Sequence, residues 1–176
     1  MARKIKSAMA NKKINIIKEF EKVRDIPYRI PLSLKEPDEC CTGKAKILLE
    51  ILKKGGYDVR YCICMFKWSD LNIPKKIQDM PHDDECSHTY LEIKIDGKWK
   101  IIDPTWDKGL KSIFTVNKWD GKSDTQIALP AREYLSPEES SKYLEHILTP
   151  EAIAADLKTN GEFYKAFNEW LEAERK

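Results

Sequence analysis

Ser87-His88-Thr89-Tyr90-Leu91-Glu92-Ile93-Lys94-Ile95, then Asp96-Gly97, then Lys98-Trp99-Lys100-Ile101-Ile102-Asp103 reads as a β-hairpin. Thr89, Leu91, Ile93 and Ile95 make one apolar face, and His88, Tyr90, Glu92 and Lys94 a more polar one. Asp-Gly is the strongest two-residue turn signal, and Pro104, which cannot donate to a ladder, stops the return strand. A two-residue loop pairs Ile95 with Lys98. Asp103 then falls opposite Tyr90 and diagonal to His88 on the same face, at about 7–8 Å between backbones, which these side chains can bridge. A three-residue loop would send Asp103 to the other face. Turn chemistry thus predicts a histidine base beside a carboxylate that can orient it.

Upstream, Glu39-Cys40-Cys41-Thr42-Gly43-Lys44-Ala45 opens an apolar-periodic helix that ends at Gly55-Gly56. A thiol in a first helical turn meets unpaired backbone N–H groups and the positive end of the helix dipole, which favour the thiolate a nucleophile needs. Helical spacing separates the two cysteines. Steps of four, seven and eleven from Cys41 reach Ala45, Leu48 and Leu52, an unbroken apolar stripe, whereas from Cys40 they pass through Lys44 to Ile47 and Ile51. Cys41 is therefore the expected nucleophile, with its thiol and the His88 imidazole facing a cleft. The alternative is a pair of small buried hydrophobes.

The three motifs, in this order, resemble the transglutaminase-like superfamily of papain-related cysteine enzymes. The match lies in Cys41 opening a helix with Ala45 four residues on and Gly56 at its end, in His88-Thr89-Tyr90, and in the Asp96-Gly97-Lys98-Trp99 hairpin that finishes at Asp103-Pro104-Thr105. Val23-Arg24-Asp25-Ile26-Pro27-Tyr28 is similar to the segment that often precedes the nucleophile helix in bacterial members, so the resemblance spans roughly Ile14 to Asp107. Cys40 stands where Gly or Gln is usual, and Tyr90 where Trp is frequent. The resemblance implies that Cys41 attacks a carboxamide or peptide carbonyl, His88 holds the thiolate and protonates the leaving amine, and Asp103 fixes the imidazole. No upstream Trp or Gln matches the family's side-chain oxyanion donor, so that task falls to the backbone N–H of Cys41.

Length and composition bound the rest. A chain of 176 residues with 41% hydrophobic content builds one domain with its own core. Basic and acidic residues, 31 and 29, are interleaved and leave a net charge of +2, which gives no footprint for nucleic acid. The basic start Met1-Ala2-Arg3-Lys4-Ile5-Lys6 is followed by no apolar signal region, and no stretch is long enough to span a membrane. A cytoplasmic protein with no membrane or nucleic-acid partner is expected. Five cysteines, an odd number, read as reduced thiols. Cys62 and Cys64 sit in a nearly continuous apolar run and read as core. Cys86-x-His88 with His82 nearby could make a metal site with borrowed ligands, and metal binding through it is a remote alternative. No cofactor is expected.

The remaining segments read as an N-terminal helix from about Lys12 to Arg24, a strand from Tyr57 to Phe66, and a polar insertion from Ser69 to Asp84. The insertion is expected to be a solvated surface loop, with a lid or a calcium loop as alternatives. Phe114-Thr115-Val116 and Thr125 to Leu129 read as short strands around an Asn117–Gly121 turn. From Ser136 the tail is helical, opened by the capping pattern Ser136-Pro137-Glu138-Glu139, with Phe163, Phe167, Trp170 and Leu171 as its packing stripe. The expected architecture is α+β with a transglutaminase-like core (about 14–107), the nucleophile helix on an antiparallel sheet, and a C-terminal helical extension (about 136–176). The expected function is amide chemistry on a protein or peptide substrate through a thioester at Cys41. Hydrolysis is the first choice, protein-glutamine acyl transfer or deglycosylation are alternatives, and a non-catalytic binding module is the rival class.

Overall fold

The structure, a computed structural model, describes residues 14–175. Lys12 and Lys13 of the expected first helix, and the basic start of the chain, lie outside the described residues. Helix α1 (Ile16–Arg24) is capped by Asn15, whose side chain accepts from the Lys18 amide, and it leads through a loop to α2 (Cys41–Lys54). Strand β1 (Val59–Lys67), the short helix α3 (Lys75–Gln78), and strands β2 (Glu85–Ile95) and β3 (Lys98–Ile102) follow. The two-residue strand β4 (Glu133–Tyr134) and helices α4 (Pro137–Ile147) and α5 (Pro150–Glu174) complete an α+β fold with helices at both ends of the described chain.

The sheet is antiparallel, in the order β3-β2-β1-β4. Its hairpin has the register that the turn dictates, Ile95 against Lys98 and Leu91 against Ile102. Asp96 and Gly97 both take positive φ, 48° and 78°, as a turn matched to strand twist requires. The apolar face carries Leu91, Ile93 and Ile102, which pack on Ala45, Leu48 and Leu52 of α2 and on Phe20 and Val23 of α1. On the opposite face Tyr90 meets Cys62 and Cys64, which are core as expected. A second core joins Phe163, Phe167 and Leu171 of α5 to Trp68, Leu110 and Trp106. Burying three such side chains contributes roughly 1.5–3 kcal/mol each, enough to seat a long helix on the domain.

Three expectations change. The Ser69–Asp84 insertion is not a solvated loop: Leu71, Ile73 and Ile77 are buried in the second core, and Asp84 accepts from the Ser69 amide and hydroxyl. Its frequent polar residues hide three spaced apolar anchors. Phe114–Val116 and Thr125–Leu129 are not strands: the Phe114 amide turns back to Leu110 O, and side chains take much of the backbone of the second segment. The Asn117 amide side chain donates to Gln126 O and accepts from Gln126 N, and Thr125 N donates to Ile101 O. The fourth strand is instead Glu133–Tyr134, against Met65 and Cys64. Finally, the helical tail breaks at Leu148, where Thr149 caps a new helix that starts with Pro150.

Candidate active site

The hairpin register carries His88 and Asp103 to the same place. His88 Nε2 donates to Asp103 Oδ2 at 2.8 Å, and both side chains are 0% exposed. Asp103 follows the last residue of β3, and the turn after Pro104 folds back on it. Oδ1 accepts from Thr105 N (3.0 Å), Oδ2 accepts also from Ala128 N (2.8 Å), and the Asp103 amide donates to Thr125 Oγ1 (2.9 Å). The irregular 117–128 segment therefore holds the carboxylate in place. Burial disfavours the charge on Asp103, but the His88 imidazolium and the hydrogen bonds from His88 and Ala128 outweigh it, so the pKa lies below the usual carboxylate value.

The thiol reaches this pair at the open end of the sheet. Ile63 turns its N–H to Ser140 and its C=O to Leu135. Thr89, opposite Ile63, accordingly turns its amide away from β1, to the side where β3 has ended at Ile102. There the Thr89 N–H and the His88 ring are near enough to the Cys41 thiol to favour its thiolate. Nε2 is engaged by Asp103, which leaves Nδ1, buried and without a hydrogen-bond partner, as the nitrogen free to serve the thiol. Thr42 Oγ1 and Thr89 Oγ1, 2.9 Å apart, pin the first turn of α2 to β2. Gly43 allows the preceding loop to close onto the helix, since a Cβ there would collide with the Asp38 carbonyl. That explains a glycine in a first turn, where it otherwise costs about 1 kcal/mol.

The electrostatics separate the thiols. Cys41 is held well below the ordinary thiol range by the neighbouring Cys40 thiol and, against burial, by the proximity and charge of His88 and the Thr89 N–H. Cys40 is pushed well up by the same contact with Cys41 and by burial. Burial pushes Cys62, Cys64 and Cys86 up to about 12. For His88, burial opposes the charge, yet the Asp103 carboxylate and the Cys41 thiol raise the pKa to about 10. A thiolate–imidazolium pair is the state these shifts favour across neutral pH. Iodoacetamide should therefore modify Cys41 first among the five thiols. Its rate should fall less steeply from pH 8 to pH 6 than that of an ordinary thiol, which slows about tenfold per pH unit. Peptide mapping that finds Cys40 or Cys86 modified first would contradict the assignment.

Two residues near the site escape the sequence reading. Lys44, taken there as a polar break, is fully buried, and its Nζ donates to the carbonyls of Arg24 (2.6 Å), Ile26 (2.8 Å) and Thr105 (2.7 Å). It fastens α2 to the loop before the site and to the turn after Asp103. Burial brings its pKa down to about 7, against the opposing pull of Asp107, Asp103 and Asp25. Tyr28 is fixed by Asp107, which accepts from its amide, by Arg175, which donates to its carbonyl, and by the Trp106 ring at 4.7 Å. No periodicity marks either residue, because each serves contacts distant in sequence.

A cavity of about 450 Å³ opens at Cys41, lined by residues of the Tyr28–Asp38 loop and of α4 and α5. The C-terminal helices thus contribute to the lining of the cleft, His146 of α4 among them. The imidazole of His88, expected to face a cleft, is instead completely enclosed. His82 stacks on Phe163 at 4.0 Å, and among the described residues no group of three or more His, Cys, Asp or Glu side chains is placed to hold a metal ion. Among the described residues no helix is long and apolar enough to cross a membrane. The chain matches no protein-family model, no curated protein and no solved structure.

Proposed function

We propose that this chain is a cysteine-dependent amide-bond enzyme with a transglutaminase-like arrangement of Cys41, His88 and Asp103. The observation that carries the reading is the buried His88–Asp103 pair beside a thiol at a helix start, with that thiol lining a cavity. A thiolate and an imidazolium in contact are the reactants of acyl transfer. The Cys41 thiolate adds to the amide carbon, and the oxyanion is received by the Cys41 N–H. His88 passes its Nδ1 proton to the departing amine as the C–N bond breaks, which leaves a thioester and a neutral imidazole. A water molecule, deprotonated by that imidazole, then attacks the thioester, releasing the acid and restoring the thiolate–imidazolium pair. Asp103 accepts from Nε2 throughout and keeps Nδ1 aimed at the reacting atoms. Hydrolysis is preferred over transfer because water needs no second binding site.

The test is release of amine or ammonia from a library of peptide amides and glutamine-containing peptides. Turnover by the native protein is expected, with kcat/KM falling on the acid side as the thiolate is protonated and on the alkaline side near pH 10 as His88 loses its proton. Binding of a library member with equal strength by native protein and Cys41→Ala, and turnover by neither, would make the chain a binding module instead.

A further inference from the structure

The cleft at Cys41 has a one-signed charge lining. Four carboxylates, Glu36, Asp38, Glu85 and Asp156, border it, with His146 and no lysine or arginine. Glu36 and Glu85 have cations behind them, Arg29 at 3.6 Å and Lys67 at 3.3 Å. Asp38 and Asp156 have only neutral donors: Asp38 accepts from the Cys40 amide (3.0 Å), and Asp156 from Asn160 Nδ2 (2.8 Å) and the Tyr164 hydroxyl (3.0 Å). These two carboxylates line the same cavity, one beside the Cys40 amide and one on α5. Leu34 and Leu148, large side chains that are 58% and 48% exposed, line the cavity as well. Tyr28, 6% exposed, also lines the cavity.

We propose that this cleft selects, as the substrate of the Cys41 reaction, a peptide that carries an apolar residue and a positively charged side chain close to the scissile amide. The inference rests on the reading of Cys41 as nucleophile. Apolar contact with Leu34 and Leu148 seats the chain, and the charged group lies between Asp38 and Asp156 in a cleft whose walls focus their field. An acidic peptide of the same shape meets the same carboxylates as a like charge and is turned away.

Three chloroacetyl-capped dipeptide amides test this: Leu-Arg, Leu-norleucine and Leu-Glu. In each the Cys41 sulfur displaces chloride from the chloromethyl carbon, so no turnover is needed, and tandem mass spectrometry places the adduct. At low ionic strength the rate order Arg, norleucine, Glu is expected, with Arg ahead of Glu by about tenfold or more. The ratio should shrink toward one in 1 M salt, where charges more than about 3 Å apart are screened. It should also shrink severalfold in Asp156→Asn; the salt series on the native protein requires no variant to fold. Fast alkylation of Cys41 at equal rates by all three, or an Arg preference indifferent to both salt and Asp156→Asn, overturns this inference and leaves the nucleophile standing. If none of the three labels Cys41 faster than Cys86, the nucleophile assignment and this inference fall together.

Discussion

Cys41→Ala and His88→Ala should each lower amide turnover on the order of 10⁴-fold or more, and the double variant should be hardly worse than either alone, because the two groups act as one unit. Asp103→Asn should keep more activity, since it disturbs only the orientation and tautomer of the base. Stability sorts these variants differently. The Cys41 thiol lies at the cavity, so Cys41→Ala should melt close to the native protein. His88→Ala leaves the Asp103 carboxylate buried without its partner, a loss of about 3–5 kcal/mol. Asp103→Asn places an amide NH₂ among three donors, the His88 ring N–H and the amides of Thr105 and Ala128, and should also melt early. Cys41→Ala is therefore the clean variant: inactive and fully folded. Turnover within tenfold of native by a folded Cys41→Ala protein would contradict the unit.

Lys44→Met is expected to be the most destabilising change outside the triad. A methionine fills the same channel but donates nothing, which leaves the Arg24, Ile26 and Thr105 carbonyls to lose three short bonds at once. Removing a shared donor from buried acceptors costs roughly 1–3 kcal/mol each, and the relief of desolvating an amine returns part of that. A net loss of roughly 3–5 kcal/mol follows, which lowers Tm by about 10 °C for a domain of this size. Because Thr105 lies two residues after Asp103, the same variant should also slow alkylation of Cys41. Thermal melts and denaturant titration check the first part, and a loss under about 1 kcal/mol would show that the carbonyls find other donors.

The hairpin was legible because its information is local: Asp96-Gly97 fixes the loop length, and alternation fixes the faces, so the His88–Asp103 contact followed from sequence spacing. The start of α2 was legible for the same reason, and its apolar stripe at Ala45, Leu48 and Leu52 is the stripe that packs. What stayed hidden depends on partners far along the chain. Lys44 reads as a solvated charge until Arg24 and Thr105 are folded around it. The segment from Phe114 to Leu129 has strand-like residues, but Asn117 and Asp103 take its hydrogen bonds, and β4 is two residues long, too short for any period to register. The cleft wall was hidden most completely, since Leu148, Ile153 and Asp156 become site residues only through the seating of α5 on Trp68 and Leu110.

The most direct measurement of the central claim is the intact mass of the protein during turnover of an amide substrate quenched in acid, where a thioester survives. The account predicts an adduct equal to the acyl group of the substrate, carried by Cys41, discharged by hydroxylamine and absent from Cys41→Ala. Amide turnover with no acyl adduct at Cys41 in the native protein, and at an undiminished rate in Cys41→Ala, would contradict it.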